Sequence, residues 1–210
     1  MTPKISESEK EKRRMHIIQS AGEVFKRKGY VNSTMQDIVD ETEMSRGWVY
    51  LYFSSKDEIM KVILAENDKE TEAQIKNLLT SGLSVWKGLC GLIDMMEQQL
   101  SNASDELPIV IYEYFISGWK EQERRSMLEE HYKKQQAYLV HYLQKGVEDG
   151  EFNPRVDLDV INKMITSYFE GVLLHTKAAG IGNVRVKEQL RLFKSILKEV
   201  LQVHDLEGES

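Results

Sequence analysis

Proline interrupts this 210-residue chain at only three places, Pro3, Pro108 and Pro154. A proline inside a helix removes a hydrogen bond and clashes with the preceding turn, so the long proline-free stretch leaves helix formation unopposed. Leu, Ile, Met, Glu, Lys and Gln, all good helix formers, are abundant around it. No alternating strand followed by a hairpin turn signal is present. An all-α fold is expected.

Periodicity and capping signals divide the chain further. Ser8 with Glu11 reads as a capping box for a first helix to Lys28, with Ile17, Ala21, Val24 and Phe25 on one apolar face and Gly29 as the stop. Ser33 with Gln36 opens a second helix of about eight residues, buried along Met35, Ile38 and Val39. Thr42, Glu43 and Met44 make a short turn. Ser45 caps a third helix, Arg46 to about Tyr52, with Val49 and Phe53 facing inward. Ser55 with Glu58 starts a long fourth helix of about 25 residues. Further helices are expected from Ser84 to about Ala103, Glu106 to Lys120 and Gln122 to Glu148. After the turn Asp149-Gly150-Glu151-Phe152-Asn153-Pro154, another begins near a capping Asp157 or Asp159. Gly180 to Asn183 reads as a loop before a last helix through Leu201, and the tail DLEGES reads as frayed.

Residues 33–52, STMQDIVDETEMSRGWVYLY, carry the chemistry. Two short helices joined by a three-residue turn, on a preceding helix, form the helix-turn-helix pattern. The second of these must keep one side free of the core, because that side enters a major groove. Its outward side chains are expected to be Arg46, Trp48, Tyr50, Leu51 and Tyr52. Gly47 costs helix stability, about 1 kcal/mol against alanine; it permits either a close approach of DNA or tight packing on the first helix. Tyr50 and Lys56 suit hydrogen bonding to phosphate, which fixes register without reading sequence. A core tyrosine and a solvated lysine are the plainer alternatives. Lys10, Lys12, Arg13 and Arg14 are either further phosphate contacts or a solvated charge run.

The run from Ile17 to Ile59 resembles the tetracycline-repressor (TetR) family. It has Ile17, Ala21, Phe25 and Gly29-Tyr30, then Ser33-Thr34-Met35 with Ile38. It continues with Ser45-Arg46-Gly47, Val49-Tyr50, Tyr52-Phe53 and Ser55-Lys56-Asp57-Glu58-Ile59. FKRKGY, SRGWVYLYFSS and GEFNP look most like YfiR-type members. The resemblance implies an N-terminal three-helix helix-turn-helix head and a C-terminal helical body, about nine helices in all. It divides the chain into a DNA-binding domain over 1–56 and a ligand-binding and dimerisation domain over 57–210. Thr34, Tyr50 and Lys56 match positions that hold DNA phosphates. Arg46 and Trp48 match positions that face base edges or adjoining backbone, and Ser45 and Gly47 belong to the same segment. Tyr52 stands where many members have His, and Leu51 where many have a polar or aromatic residue. Trp48 either presses on a thymine methyl or packs.

For the body, the resemblance implies an inducer pocket and a homodimer built on the last two long helices. Sequence physics adds two apolar stripes, 161/164/165/168/169/172 and 193/196/197/200/201. Pocket candidates are Trp86, Met95, Tyr112, Phe115, Trp119, Tyr138, Tyr142 and Phe169, each of which also reads as plain core. A bulky apolar effector would suit such a lining. Glu113 reads either as the partner of a cationic effector or as a surface glutamate. The expected partners are therefore double-stranded DNA with a palindromic operator, a second copy of the chain, and a small-molecule effector.

Composition narrows the alternatives. Net charge is −6, but residues 1–60 are balanced, with ten basic and ten acidic groups, so the whole excess falls on the remainder. For DNA a local basic face matters and not the sum. The single cysteine, Cys90, makes neither an internal disulfide nor a cysteine-rich metal cluster. The polar start MTPKISESEKEKRR lacks a secretory apolar region, and no stretch reaches the roughly 20 apolar residues of a membrane span, so a cytoplasmic protein without membrane or cofactor is expected. An enzyme is disfavoured: the five histidines show no metal-ligand spacing, and there is no phosphate loop or nucleophile elbow. A DNA-bound scaffold for a protein partner is the other alternative.

Overall fold

In the computed structural model, which describes residues 6–102 and 107–204, several helix boundaries fall at capping side chains or at glycines. Ten helices occur among the described residues, and no strand: α1 (Glu7–Lys28), α2 (Met35–Thr42), α3 (Arg46–Tyr52), α4 (Lys56–Thr80), α5 (Val85–Asn102), α6 (Leu107–Ser117), α7 (Gln122–Glu148), α8 (Leu158–Ala179), α9 (Ile181–Val184) and α10 (Val186–Leu201). The tail DLEGES lies outside the described residues. No described helix is long and apolar enough to cross a membrane.

Three local readings are corrected. The α1 cap is Ser6, whose side chain accepts from the Glu9 N–H; it is not Ser8. At α2 the cap is Thr34, boxed with Asp37. Ser33 does not cap, because its hydroxyl turns back to the Gly29 carbonyl at 2.5 Å. The expected loop from Gly180 to Asn183 contains a single helical turn, α9. It closes because Asn183 donates from its backbone to the Gly180 carbonyl and from its side chain to the Ala179 carbonyl.

The chain forms two compact units. One comprises Met1–Asn67 with Glu106–Ser126, the other Asp68–Asp105 with Met127–Ser210. In the first, α1 packs on α2 and α6, and α2 on α3. Ile17, Ala21, Val24, Phe25, Ile38, Val49, Ile59 and Met60 are fully buried there, as is Tyr114 of α6. The Tyr114 ring meets Tyr30 edge-on at 4.8 Å, a favoured aromatic geometry. This unit takes in α6 and the first turn of α7 as well as the helix-turn-helix.

The second unit is built around Leu89, Ile93, Tyr142, Leu143, Phe152, Ile161, Ile165, Leu190, Phe193, Leu197 and Leu201. Tyr168 stacks on Phe193 with ring centres 3.9 Å apart. The Gly-Glu-Phe turn after α7 organises one corner. Phe152 lies so close to Gly146 that a Cβ there would come within 2.4 Å of its ring. Glu151 is buried, and its carboxylate accepts from the Val85 and Trp86 N–H groups at 2.7 and 2.9 Å. It thereby supplies acceptors for two of the amides that an α-helix leaves unpaired at its start.

Candidate nucleic-acid interface

α3 has an inward and an outward side. Val49 and the following Phe53 are buried and anchor it. Arg46, Gly47, Trp48, Tyr50 and Leu51 are exposed, Leu51 to 72%. Tyr52, one turn on from Trp48, is half-buried. Exposure of Tyr50 rules out its reading as a core tyrosine. Tight packing at Gly47 is likewise overturned, because a Cβ built there meets no atom within 4 Å. Ser45 is exposed and its side chain makes no capping bond, contrary to expectation.

Cation–aromatic pairs order the long side chains on this surface. The Arg46 guanidinium lies 5.1 Å from the centre of the Tyr50 ring, one turn away on α3. The Arg13 guanidinium reaches across from α1 and lies 4.6 Å from the Trp48 ring. Such contacts contribute roughly 0.5–1 kcal/mol at exposed sites and hold a planar cation edge-out. The basic residues at the start of α1 also pair with acids of the same helix: Lys10 with Glu7, Arg13 with Glu9 and Arg14 with Glu11. These exposed pairs are weak and exchangeable.

Thr34 is locked by its own helix. Its hydroxyl accepts from the Asp37 N–H at 3.2 Å and donates to Asp37 Oδ2 at 2.8 Å, while its N–H donates to the same oxygen at 2.9 Å. Lys28 donates to the other Asp37 oxygen at 2.5 Å. The Lys28 hydrogen bond, followed by those from Thr34, holds the Asp37 carboxyl down at about 2.

Lys56 is neither a solvated lysine nor a ready phosphate donor in this structure. Its ammonium donates to the carbonyls of Tyr30, Val31 and Ser33 at 2.7, 3.2 and 2.8 Å. An ammonium has three N–H groups, and all three have acceptors. Burial pushes its pKa down, and neighbouring Asp57 works against that. From the other side, Glu113 of α6 accepts from the Tyr30 and Val31 N–H groups at 2.7 and 3.1 Å. Arg124 completes the packing: it pairs with Asp57 at 2.8 Å and lies over the Tyr30 and Tyr114 rings. The reading of the sequence assigned neither Glu113 nor Arg124 to this surface. One signal was available for Glu113, the only charge in the apolar helix LPIVIYEYFIS.

The pocket candidates do not gather in one unit. Tyr112, Phe115 and Trp119 fall in the same unit as α1–α3, and Trp86, Met95, Tyr138, Tyr142 and Phe169 fall in the other. Trp119 and Met95 are exposed, whereas Phe115 and Tyr142 are buried core. Tyr142 donates to the Val85 carbonyl at 3.1 Å, and burial pushes its phenol up to about 12.

Comparison with known proteins agrees with this geometry. Residues 17–63 match the bacterial regulatory proteins of the tetR family, and residues 88–187 match the tetracyclin repressor-like C-terminal domain. The uncharacterized HTH-type transcriptional regulator YfiR of Bacillus subtilis (strain 168) is 34% identical over 98% of this chain and 100% of its own. The HTH-type transcriptional repressor KstR2 of Mycobacterium tuberculosis (strain H37Rv) is 26% identical over 73% of this chain and 76% of its own. Salmonella enterica GusR shares the fold at a TM-score of 0.75 and 21% identity, covering 94% of this chain and 98% of that one. With the helix-turn-helix in place, a YfiR relative aligned along its full length and both tetR-type regions matched, the chain belongs to the tetR family of helix-turn-helix transcriptional regulators.

Proposed function

We propose that the chain is a repressor that binds a palindromic DNA operator as a homodimer and is released by a small, largely apolar effector. The observation that carries the DNA reading is the outward side of α3, where Arg46, Trp48, Tyr50 and Leu51 surround a glycine with open space above it. A surface brought close from outside would meet the backbone there with no side chain in the way. Arg46 and Trp48 face base edges or adjoining backbone, Tyr50 holds phosphate, and Thr34 reaches phosphate only by giving up a hydrogen bond to Asp37. Ser45, Gly47 and Tyr52 border the contact. The Lys56 ammonium reaches phosphate only by giving up one of its carbonyls. Residues 1–56 thus serve DNA reading, and residues 57–210 effector binding and self-association.

Homodimer formation is supported by Val160 on α8 and by Leu192 and Ile196 on α10, large apolar groups left exposed. Repression is the activity stated in the name of KstR2. An effector acts on DNA binding only through different affinities for the bound and free states.

Selection of bound fragments from a random DNA pool tests the proposal. The expected result is an inverted repeat with half-sites one helical turn apart, about 34–36 Å. No enriched sequence would overturn the DNA reading, and a monomer by light scattering at micromolar concentration would remove the half-site geometry.

A further inference from the structure

The short connection from α1 to α2 is braced by opposite charges on opposite sides. It opens at Gly29, whose φ of +79° lies in a region that other residues rarely adopt. The next two amides, Tyr30 and Val31, donate to the two oxygens of the Glu113 carboxylate. The carbonyls of Tyr30, Val31 and Ser33 accept from Lys56. A Cβ on Gly29 would stand 2.9 Å from Glu113 Oε2, so the carboxylate also occupies the space a side chain would need. Thr34, the α2 cap, follows directly. Glu113 reaches this connection from α6, 83 residues from Tyr30 in the chain and outside the stretch 17–63 that matches the tetR-family head.

We infer that Glu113 is a positioning residue for DNA recognition: its carboxylate fixes the α1–α2 connection so that the first turn of α2 meets the phosphate backbone in one orientation. The inference rests on the DNA reading given above. Hydrogen bonds to phosphate weaken steeply with misdirection, and a binding element already held in its bound conformation loses less freedom on association. A carboxylate taking two backbone N–H groups forms charge-assisted bonds, stronger than neutral ones. Without it, both amides lose their acceptor and the Lys56 ammonium loses a nearby counter-charge, so the connection regains freedom directly before Thr34.

The test uses the full-length protein and its selected operator. Glu113→Gln keeps the side-chain volume but points an amide donor at one of the two N–H groups. Glu123→Gln is the control, since Glu123 pairs with Lys61 on the surface of the same unit. Affinity is measured on the intact operator and on a series with single phosphates replaced by neutral methylphosphonates. The Tyr30 and Val31 amide proton shifts report the brace directly. Glu113→Gln is expected to bind about tenfold more weakly, a loss of about 1.4 kcal/mol. The loss is expected to concentrate at one or two phosphates per half-site, whose neutralisation then costs the variant much less than the wild type. Glu123→Gln is expected to match the wild type.

Wild-type affinity and profile in Glu113→Gln would overturn the inference. So would a loss spread evenly over every phosphate, which is what a merely destabilised head produces. If Glu113→Gln lowers the folded fraction, the same comparison is made with Glu113→Asp, which keeps the charge on a shorter arm. If the wild type selects no DNA, the DNA reading itself fails, while the two amide shifts still report whether the brace exists.

Discussion

The Lys56 ammonium sits 4.4 Å from the centre of the Tyr30 ring and donates to that residue's own carbonyl at 2.7 Å. One side chain therefore holds both the ring and the backbone of the residue that turns the chain from α1 toward α2. Lys56→Met keeps the apolar stem and removes the donors, leaving three carbonyls to find water. The expected cost is about 2 kcal/mol of folding stability, read as a lower midpoint in thermal unfolding without DNA. Unchanged stability with weakened DNA binding would instead restore Lys56 as a plain phosphate contact.

Gly47 gives a prediction in which two quantities move in opposite directions. Its Cβ position is open and its backbone is helical, so Gly47→Ala adds helix propensity without a clash. The head is expected to gain up to about 1 kcal/mol in stability, while operator affinity falls as the new methyl meets the duplex. Calorimetry and fluorescence anisotropy on one preparation read both quantities. A stabler protein that binds as well as the wild type would show that nothing approaches α3 there.

Arg46 and Tyr50 stack on each other yet are expected to fail differently when altered. Tyr50→Phe removes only a hydroxyl, and the loss is expected to be similar on operator and random DNA. Arg46→Ala removes a cation able to reach base edges, worth about 1–3 kcal/mol of discrimination at one base pair if it does so. Mobility assays on operator and random fragments distinguish the two. Equal losses on both fragments for both variants would refute the division of roles.

The Thr34–Asp37 box carries a pH dependence whose sign is fixed. Asp37 is held at about 2 in the folded chain against an ordinary 3.8, so the folded state favours its charged form. Its contribution to stability is complete above the ordinary value and fades as pH falls through the window down to the folded one. Thermal unfolding of wild type and Asp37→Asn across this range should give midpoints that differ at mild pH and converge toward pH 2. A difference that stays constant would show that the carboxylate is not the group responsible.

Much of the framework was legible in the sequence because it depends on neighbours three or four residues apart. Ile17, Ala21, Val24 and Phe25 announce α1, and Val49 with Phe53 sets which way α3 faces. The caps of α1 and α2 were misplaced because Ser6 and Ser8, and likewise Ser33 and Thr34, offer equivalent hydroxyls. Only the tertiary path of the chain chooses between them, as when Gly29 draws the Ser33 hydroxyl backward. Glu113 and Lys56 were harder still: its place as the only charge of an apolar helix marks Glu113 as unusual, but neither residue carries a local mark of which backbone it holds. They lie 83 and 26 residues away from their shared partner Tyr30 in the chain, and no periodicity encodes that distance. GEFNP was readable as a turn, but the destination of its glutamate was not.

That glutamate, Glu151, links three places through one residue: its carboxylate holds the first amides of α5, its own carbonyl accepts from His204 just past α10, and its N–H returns to Gly146 in α7. The beginning of α5 is thus denied the independent fraying usual for a helix end. Hydrogen exchange at Val85 and Trp86 becomes a reporter on the whole corner, expected to quicken when the bonds joining the turn at Glu151 and Asn153 to His204 and Leu201 open.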